Sequence, residues 1–125
     1  ITRQGFPFYG DNITYKFKAV AENGKFDICA SWYRGAMIFV KVDGEEKGNI
    51  IYPPYILGVD GLSDGEHDVE MTLYTHRYNT FGPLHLVNEA EPWHGPDAWR
   101  SKKCNWSNEY VLRRVGILSA PKINN

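Results

Sequence analysis

Gly65–Leu86, GEHDVEMTLYTHRYNTFGPLHL, is the stretch that decides the fold. A turn, Ser63-Asp64-Gly65, leads into it. Val69, Met71 and Leu73 then point one way, and Asp68, Glu70, Thr72 and Tyr74 the other. That alternation is the signature of a strand with one buried face. The strand runs into Arg77-Tyr78-Asn79-Thr80-Phe81-Gly82, a cluster of planar and hydrogen-bonding side chains. A strand end is where an all-β domain carries recognition chemistry.

The same period recurs outward from this stretch. Ile13, Tyr15 and Phe17 alternate with Thr14, Lys16 and Lys18. Phe26, Ile28, Ala30 and Trp32 form a second inward row, and Ile38, Val40 and Val42 a third. Asp43-Gly44 predicts a tight hairpin, since both residues tolerate positive φ. A strand through Ile50, Ile51 and Tyr52 is cut by Pro53-Pro54, which cannot sit in a central strand. Tyr55–Val59 resumes the sheet, and Tyr110–Leu118 reads as the last strand, lying beside an early one. Helical periodicity never reaches three turns. Seven or eight short strands joined by Gly, Asp and Pro turns predict an all-β sandwich or barrel of antiparallel sheets.

Composition narrows the function classes. The chain has 125 residues, 42% of them hydrophobic, and a formal net charge of −1. One domain, residues 1–125 with a core at about 9–118, fits this length. The interspersed charge offers no basic face for a phosphate backbone, so no nucleic acid partner is expected. No apolar run approaches the ~20 residues of a membrane span, so no membrane partner is expected either. The opening at Ile1 reads as a fragment of a larger multidomain protein. Cys29 and Cys104 are read as free buried thiols; a disulfide would need their Cα atoms within ~7 Å. Asn12-Ile-Thr14 and Asn105-Trp-Ser107 match the short glycosylation pattern and receive no weight.

Val87–Asn108 breaks the rhythm, with neither strand nor helix pattern. A loop longer than ~12–15 residues in a compact domain is usually functional. It holds three of the four tryptophans, Trp93, Trp99 and Trp106, together with His94 and Arg100. Aromatic faces stack on the C–H surfaces of sugar rings while neighbouring polar groups bind hydroxyls. Trp93-His94, Asp97 and Trp99-Arg100 supply both kinds of group. The same tryptophans would equally serve to anchor the loop on its core or on another domain. Arg77–Gly82 is likewise either a recognition loop, with Arg77 and Asn79 as donors, or a structural corner with Asn79 or Gly82 left-handed and Phe81 in the core.

Other constellations carry less. His67, His76, His85 and His94 are each nine residues apart, but odd spacing on strands alternates faces and the intervening residues do not repeat. His67 shares the face of Val69 and is read as a satisfied, semi-buried histidine. No CxxC or HExxH spacing suggests a metal, and no cofactor is expected. Glu89, Glu91 and Asp97 could in principle supply the carboxyl pair of a glycosidase, ~5–9.5 Å apart, but nothing in the pattern holds them there. Nucleophile elbow, phosphate loop and dinucleotide fingerprint are all absent from the sequence.

The series VDGEEKG, PPY, LSDGEHDVEMTLYTHRYNTFGPLH and WSNEYVLRRVGIL resembles galactose-binding-domain-like β-sandwiches. It is similar in particular to accessory modules of large bacterial glycoside hydrolases, family 2-like and rhamnosidase-like proteins. The resemblance covers residues 9–118, with NTFGPLH its most specific element. It implies a jelly roll of two antiparallel sheets and a carbohydrate-processing parent protein; the compartment is left open, with extracellular or periplasmic favoured because polysaccharide-handling parents are often exported. The leading reading is a non-catalytic module with weak carbohydrate binding through the loop aromatics and Arg77, Asn79, His85, Trp93, His94 and Trp99. The rival is a docking module that buries those aromatics against an adjacent catalytic domain and binds no sugar. A stand-alone hydrolase is the minor third reading.

Overall fold

The computed structural model describes residues 1–87 and 105–125. The chain forms two compact units. The first comprises Ile1–Gly10 and His76–Arg114; the second comprises Asp11–Thr75 and Val115–Asn125. Trp93, His94 and Trp99, with Glu89, Glu91, Asp97 and Cys104, lie outside the described residues.

The second unit carries the strands, all antiparallel: β1 (Ile13–Ala21), β2 (Phe26–Cys29), β3 (Tyr33–Arg34), β4 (Met37–Val42), β5 (Glu45–Ile50), β6 (Ile56–Val59), β7 (Gly65–Tyr74), β8 (Gly116–Ile117) and β9 (Lys122–Asn124). One sheet has the order β1-β7-β4-β5, a second β6-β2-β9, and β3 and β8 form a two-stranded ladder. The pairs are nested: β1 with β7, β2 with β6, and β4 with β5, alternating between the two larger sheets. The all-β sandwich expected from the period-two rows is therefore present.

Its interior is the row anticipated from the sequence. Val69, Met71 and Leu73 of β7 are buried, flanked by Ile38, Val40 and Val42 of β4. Phe26, Ile28 and Val59 of the facing sheet close over them in one apolar cluster. The outward face of β1 and β7 is polar. Thr14 meets Thr72, Lys16 pairs with Glu70, and Lys18 sits 2.6 Å from Glu66. Exposed pairs of this kind contribute only about 0.2–1 kcal/mol each. They set register rather than stability, because a one-residue slip would turn these charges inward.

Asp43 and Gly44 both adopt positive φ, 50° and 81°, and turn β4 into β5 as expected. A bulge follows at Val40/Lys41, where β5 fits an extra residue beside Gly48. Gly48 has φ 143°, and a Cβ there would lie 3.0 Å from Leu57 Cδ1. The positive φ strains any other residue at this bulge, and a Cβ would in addition press on the flexible end of Leu57.

His67 is 7% exposed and fully satisfied. Its Nδ1 lies 2.6 Å from Asp43 Oδ2 and its Nε2 lies 2.8 Å from the Ser63 carbonyl oxygen. Two acceptors require two donors, which only the imidazolium supplies. The Asp43 hydrogen bond, then the Ser63 carbonyl, hold the imidazole pKa above 6.5 against opposing burial. The His67 hydrogen bond, then the Asp68 N–H, hold the Asp43 carboxyl below 3.8. The residue ties the β4–β5 turn to the segment before β7.

Several boundaries differ from the sequence reading. The strand through Phe26 stops at Cys29, and Trp32 faces solvent instead of continuing the inward row. The strand placed at Ile50–Tyr52 runs earlier, Glu45–Ile50, since Pro53-Pro54 ends pairing upstream of the prolines. Tyr110–Leu118 shrinks to the two residues of β8. The last strand is β9, beyond residue 118, and it does pair with an early strand, β2. Cys29 is a free, half-buried thiol.

Met71→Ala is expected to cost about 2–5 kcal/mol, by loss of transfer energy plus a cavity, read as a lower urea midpoint. Stability should also follow the His67–Asp43 pair. The histidine's folded pKa is raised, so its contribution is complete below about 6.5 and lost as pH rises through the folded value. The aspartate's is lowered, so its contribution is complete above about 3.8 and lost as pH falls through the folded value. The pair therefore contributes most between those limits, and His67→Gln should flatten the alkaline limb of a melting-temperature profile.

Candidate functional site

The first unit is built around side-chain locks. Its single helical turn, α1 (Tyr78–Phe81), follows the end of the long strand. Asn79 is 1% exposed. Its Nδ2 donates to the Arg113 carbonyl at 2.7 Å and its Oδ1 accepts the Arg113 N–H at 2.8 Å. The Arg113 guanidinium lies 4.4 Å from the centre of the Tyr78 ring, within cation–π range. Thr80 Oγ1 and Thr2 Oγ1 donate to the carbonyls of Phe8 and Arg113, drawing the N-terminal segment into the same unit.

These contacts give Asn79 a structural part in the corner. Asn79, expected as a hydroxyl-binding donor, has its amide taken up by backbone 34 residues away. Its burial is stable only because both ends are paired. The corner differs in detail from expectation: Gly82 has φ −82° and Phe81 is exposed. Arg77 is exposed too, and among the described residues no hydrogen bond or ion pair joins its guanidinium to Asn79 or His85.

His85 does enter an aromatic assembly. Leu86 and Trp106 form an antiparallel bridge, with Val87 N–H donating to Asn105 O at 2.8 Å and Ser107 N–H to His85 O at 2.9 Å. The bridge sets the His85 and Trp106 rings face to face, centroids 4.4 Å apart and planes 17° from parallel. His85 Nδ1 lies 2.8 Å from the Ser107 carbonyl oxygen, so that nitrogen carries the proton. The Trp106 indole N–H donates to Asn108 Oδ1 at 3.1 Å. Tyr110 lies 5.1 Å from His85, and Phe8 meets Tyr110 edge to face at 4.9 Å.

Phe8, Tyr110, His85 and Trp106 thus make a connected set of rings. It is not buried: Trp106 is 49% and Tyr110 58% exposed. The Trp106 indole is fixed by backbone pairing, by its N–H and by the imidazole on one face. Such a ring offers a preset flat surface at little entropic cost. Trp106 stands in the tryptophan-rich segment of the sequence, but nothing local pairs it with His85. Phe8 and Tyr110 carry no sequence signal, because they meet only through the fold.

Catalytic geometry is not evident in these residues. Among the described residues no group of three or more His, Cys, Asp or Glu could hold a metal ion. Glu109 is exposed, its N–H donating to Ser107 Oγ, and among the described residues no second carboxyl joins it in a hydrogen-bonded pair.

No family model and no curated protein matches the chain. Among solved structures it is similar to a rhamnosidase from Novosphingobium sp. PP1Y, with a TM-score of 0.60 and 16% identity. The match covers 93% of this chain and 11% of that one. At this identity the likeness concerns the fold: a β-rich module of the kind found within a glycoside hydrolase chain.

Asn79→Ala should remove the acceptor for the Arg113 N–H. A lost hydrogen bond of about 1–1.5 kcal/mol corresponds to roughly tenfold faster exchange of that amide. Hydrogen exchange at Arg113, with the β7 amides as internal reference, checks it.

Proposed function

We propose that the chain is a non-catalytic module of a larger carbohydrate-active protein, and that it binds carbohydrate weakly at the ring cluster of the first unit. The observation that carries this reading is the Trp106 indole, locked in orientation yet half exposed. A pyranose ring stacks on such a face through its C–H surface, and nearby polar groups choose among hydroxyl orientations. Asn108, Glu109 and the Nε2 of His85 are the polar groups closest in sequence to those rings. Arg77, Trp93, His94 and Trp99 stay in the proposed set; Asn79 leaves it as a ligand contact and remains as a brace. The nested strand pairing supports a galactose-binding-like jelly roll, and the likeness to a small part of a rhamnosidase supports the carbohydrate-active context.

A second reading has its own observation. Phe6, Phe8, Phe81 and Val87 of the same unit are also exposed. Exposed apolar side chains such as these suit docking on an adjacent catalytic domain without any sugar.

A glycan-array screen followed by calorimetric titration separates the two. Millimolar binding is expected, weakened about tenfold, ~1.4 kcal/mol, by Trp106→Ala. Far-UV circular dichroism of the variant serves as the folding control. No binding across the array would leave only the docking role.

A further inference from the structure

The hairpin that joins β1 to β2 turns on Asn23-Gly24, the only Asn-Gly pair in the sequence. Both residues have positive φ, 55° and 71°. Glu22 and Lys25 close the turn by exchanging N–H to carbonyl bonds of 3.3 Å in both directions. Asn-Gly suits a two-residue turn of this kind because both central positions need positive φ. The same pair carries a reactive geometry. Glycine puts no Cβ beside its own nitrogen, so that nitrogen has the least hindered approach to the side-chain carbonyl carbon of the residue before it. The Asn23 side chain is exposed, and among the described residues no hydrogen bond engages its carboxamide.

The reaction needs only water. Gly24 N loses its proton and attacks Asn23 Cγ, forming a C–N bond. The carboxamide nitrogen leaves as ammonia, and the product is a five-membered succinimide. Water then adds to one of the two ring carbonyls. Opening at one restores the backbone with aspartate at position 23. Opening at the other leaves the backbone running through the side chain as isoaspartate, one methylene longer. Nothing is oxidised or reduced.

The surroundings of Gly24 oppose the first step. Its N–H donates to Asp64 Oδ1 at 2.7 Å. A bond to a carboxylate keeps the proton on that nitrogen and fixes the plane of the Asn23-Gly24 peptide. The Gly24 carbonyl accepts the Leu62 N–H at 3.0 Å, and a Cβ at Gly24 would lie 2.9 Å from Leu62 O. The β6–β7 loop thus holds the peptide groups on both sides of Gly24. Leu62, Ser63 and Asp64 are consecutive, and the Ser63 carbonyl is the acceptor for His67 Nε2. The turn therefore steadies the same short segment that supplies one partner of His67, immediately before β7.

We propose that Asn23-Gly24 is a site of slow covalent self-modification through a succinimide, and that Asp64 is the positioning residue that restrains it. The change acts back on the loop. A backbone one methylene longer does not present the Gly24 N–H and carbonyl to Asp64 and Leu62 together, so the segment before β7 loses its two anchors on the hairpin.

The intact protein is kept for days in mildly alkaline buffer at body temperature and then cut with trypsin. The fragment Ala19–Lys25, bounded by Lys18 and Lys25, resolves into asparaginyl, aspartyl and isoaspartyl forms by mass and retention. The synthetic fragment gives the unrestrained rate. The folded chain is expected to convert at least about tenfold more slowly than the fragment, because the turn must open first. Asp64→Ala should convert about tenfold faster than the native sequence, having lost one charge-assisted hydrogen bond. Asp64→Asn keeps an oxygen acceptor without the charge and should fall between; it makes the comparison alone if Asp64→Ala also speeds exchange of the β7 amides. In the isoaspartyl protein the Leu62 amide should exchange about tenfold faster, with the β7 amides unchanged. Native conversion at the fragment's rate, or equal rates in the native and variant proteins, overturns the restraint by Asp64. Aspartate without isoaspartate overturns the succinimide route, and an unchanged Leu62 amide overturns the release of the loop.

Discussion

The sandwich depends on one strand. β7 lies between β1 and β4, and its Val69, Met71 and Leu73 fill the interior beneath both neighbours. Burying a side chain of that size contributes on the order of 1.5–3 kcal/mol, and here three alternate positions of a central strand do so together. The opposite face of the same strand carries Glu66, Asp68, Glu70 and Thr72 into pairs with β1. A single ten-residue strand therefore specifies register on one side and core on the other. A shift by one residue would place carboxylates among Phe26, Ile28 and Ile38, at a cost no surface pair could offset.

Around that frame, polar groups do the work of positioning. In the second unit His67 bridges a carboxylate and a carbonyl, and Tyr33 reaches two backbone carbonyls. In the first unit Asn79 holds both polar groups of one distant residue, Arg113. Each is a buried or half-buried polar side chain whose partners are backbone or a single charge. Such contacts add modest stability and fix geometry, since breaking one leaves an unpaired group behind. Aromatic rings beside them are then presented by loops whose backbone is already committed.

How much of this the sequence disclosed depended on range. Val69, Met71 and Leu73 were legible because alternation is a local property of a strand. Asp43-Gly44 was legible because its turn chemistry is confined to two residues. The satisfied state of His67 could be read from its face, but not its partners, Asp43 and Ser63. Trp32 was misassigned because alternation continues in the sequence after the backbone has left the sheet at Cys29. β9 was missed because Lys122–Asn124 shows no run of apolar residues; it is a strand by virtue of β2 beside it. Asn79 looked like a donor for ligand because its true partner lies 34 residues on. The ring assembly of Phe8, His85, Trp106 and Tyr110 was invisible for the same reason, being made of residues far apart in the chain.

The central claim is that a ring fixed from one side leaves its other side for sugar. Crystals grown with the neutral oligosaccharide preferred on the glycan array test it most directly. The account expects a pyranose lying against the Trp106 face opposite His85, with hydroxyls reaching groups of the first unit. A sugar bound only elsewhere, or a Trp106 face covered by protein while sugar is present in excess, would contradict it.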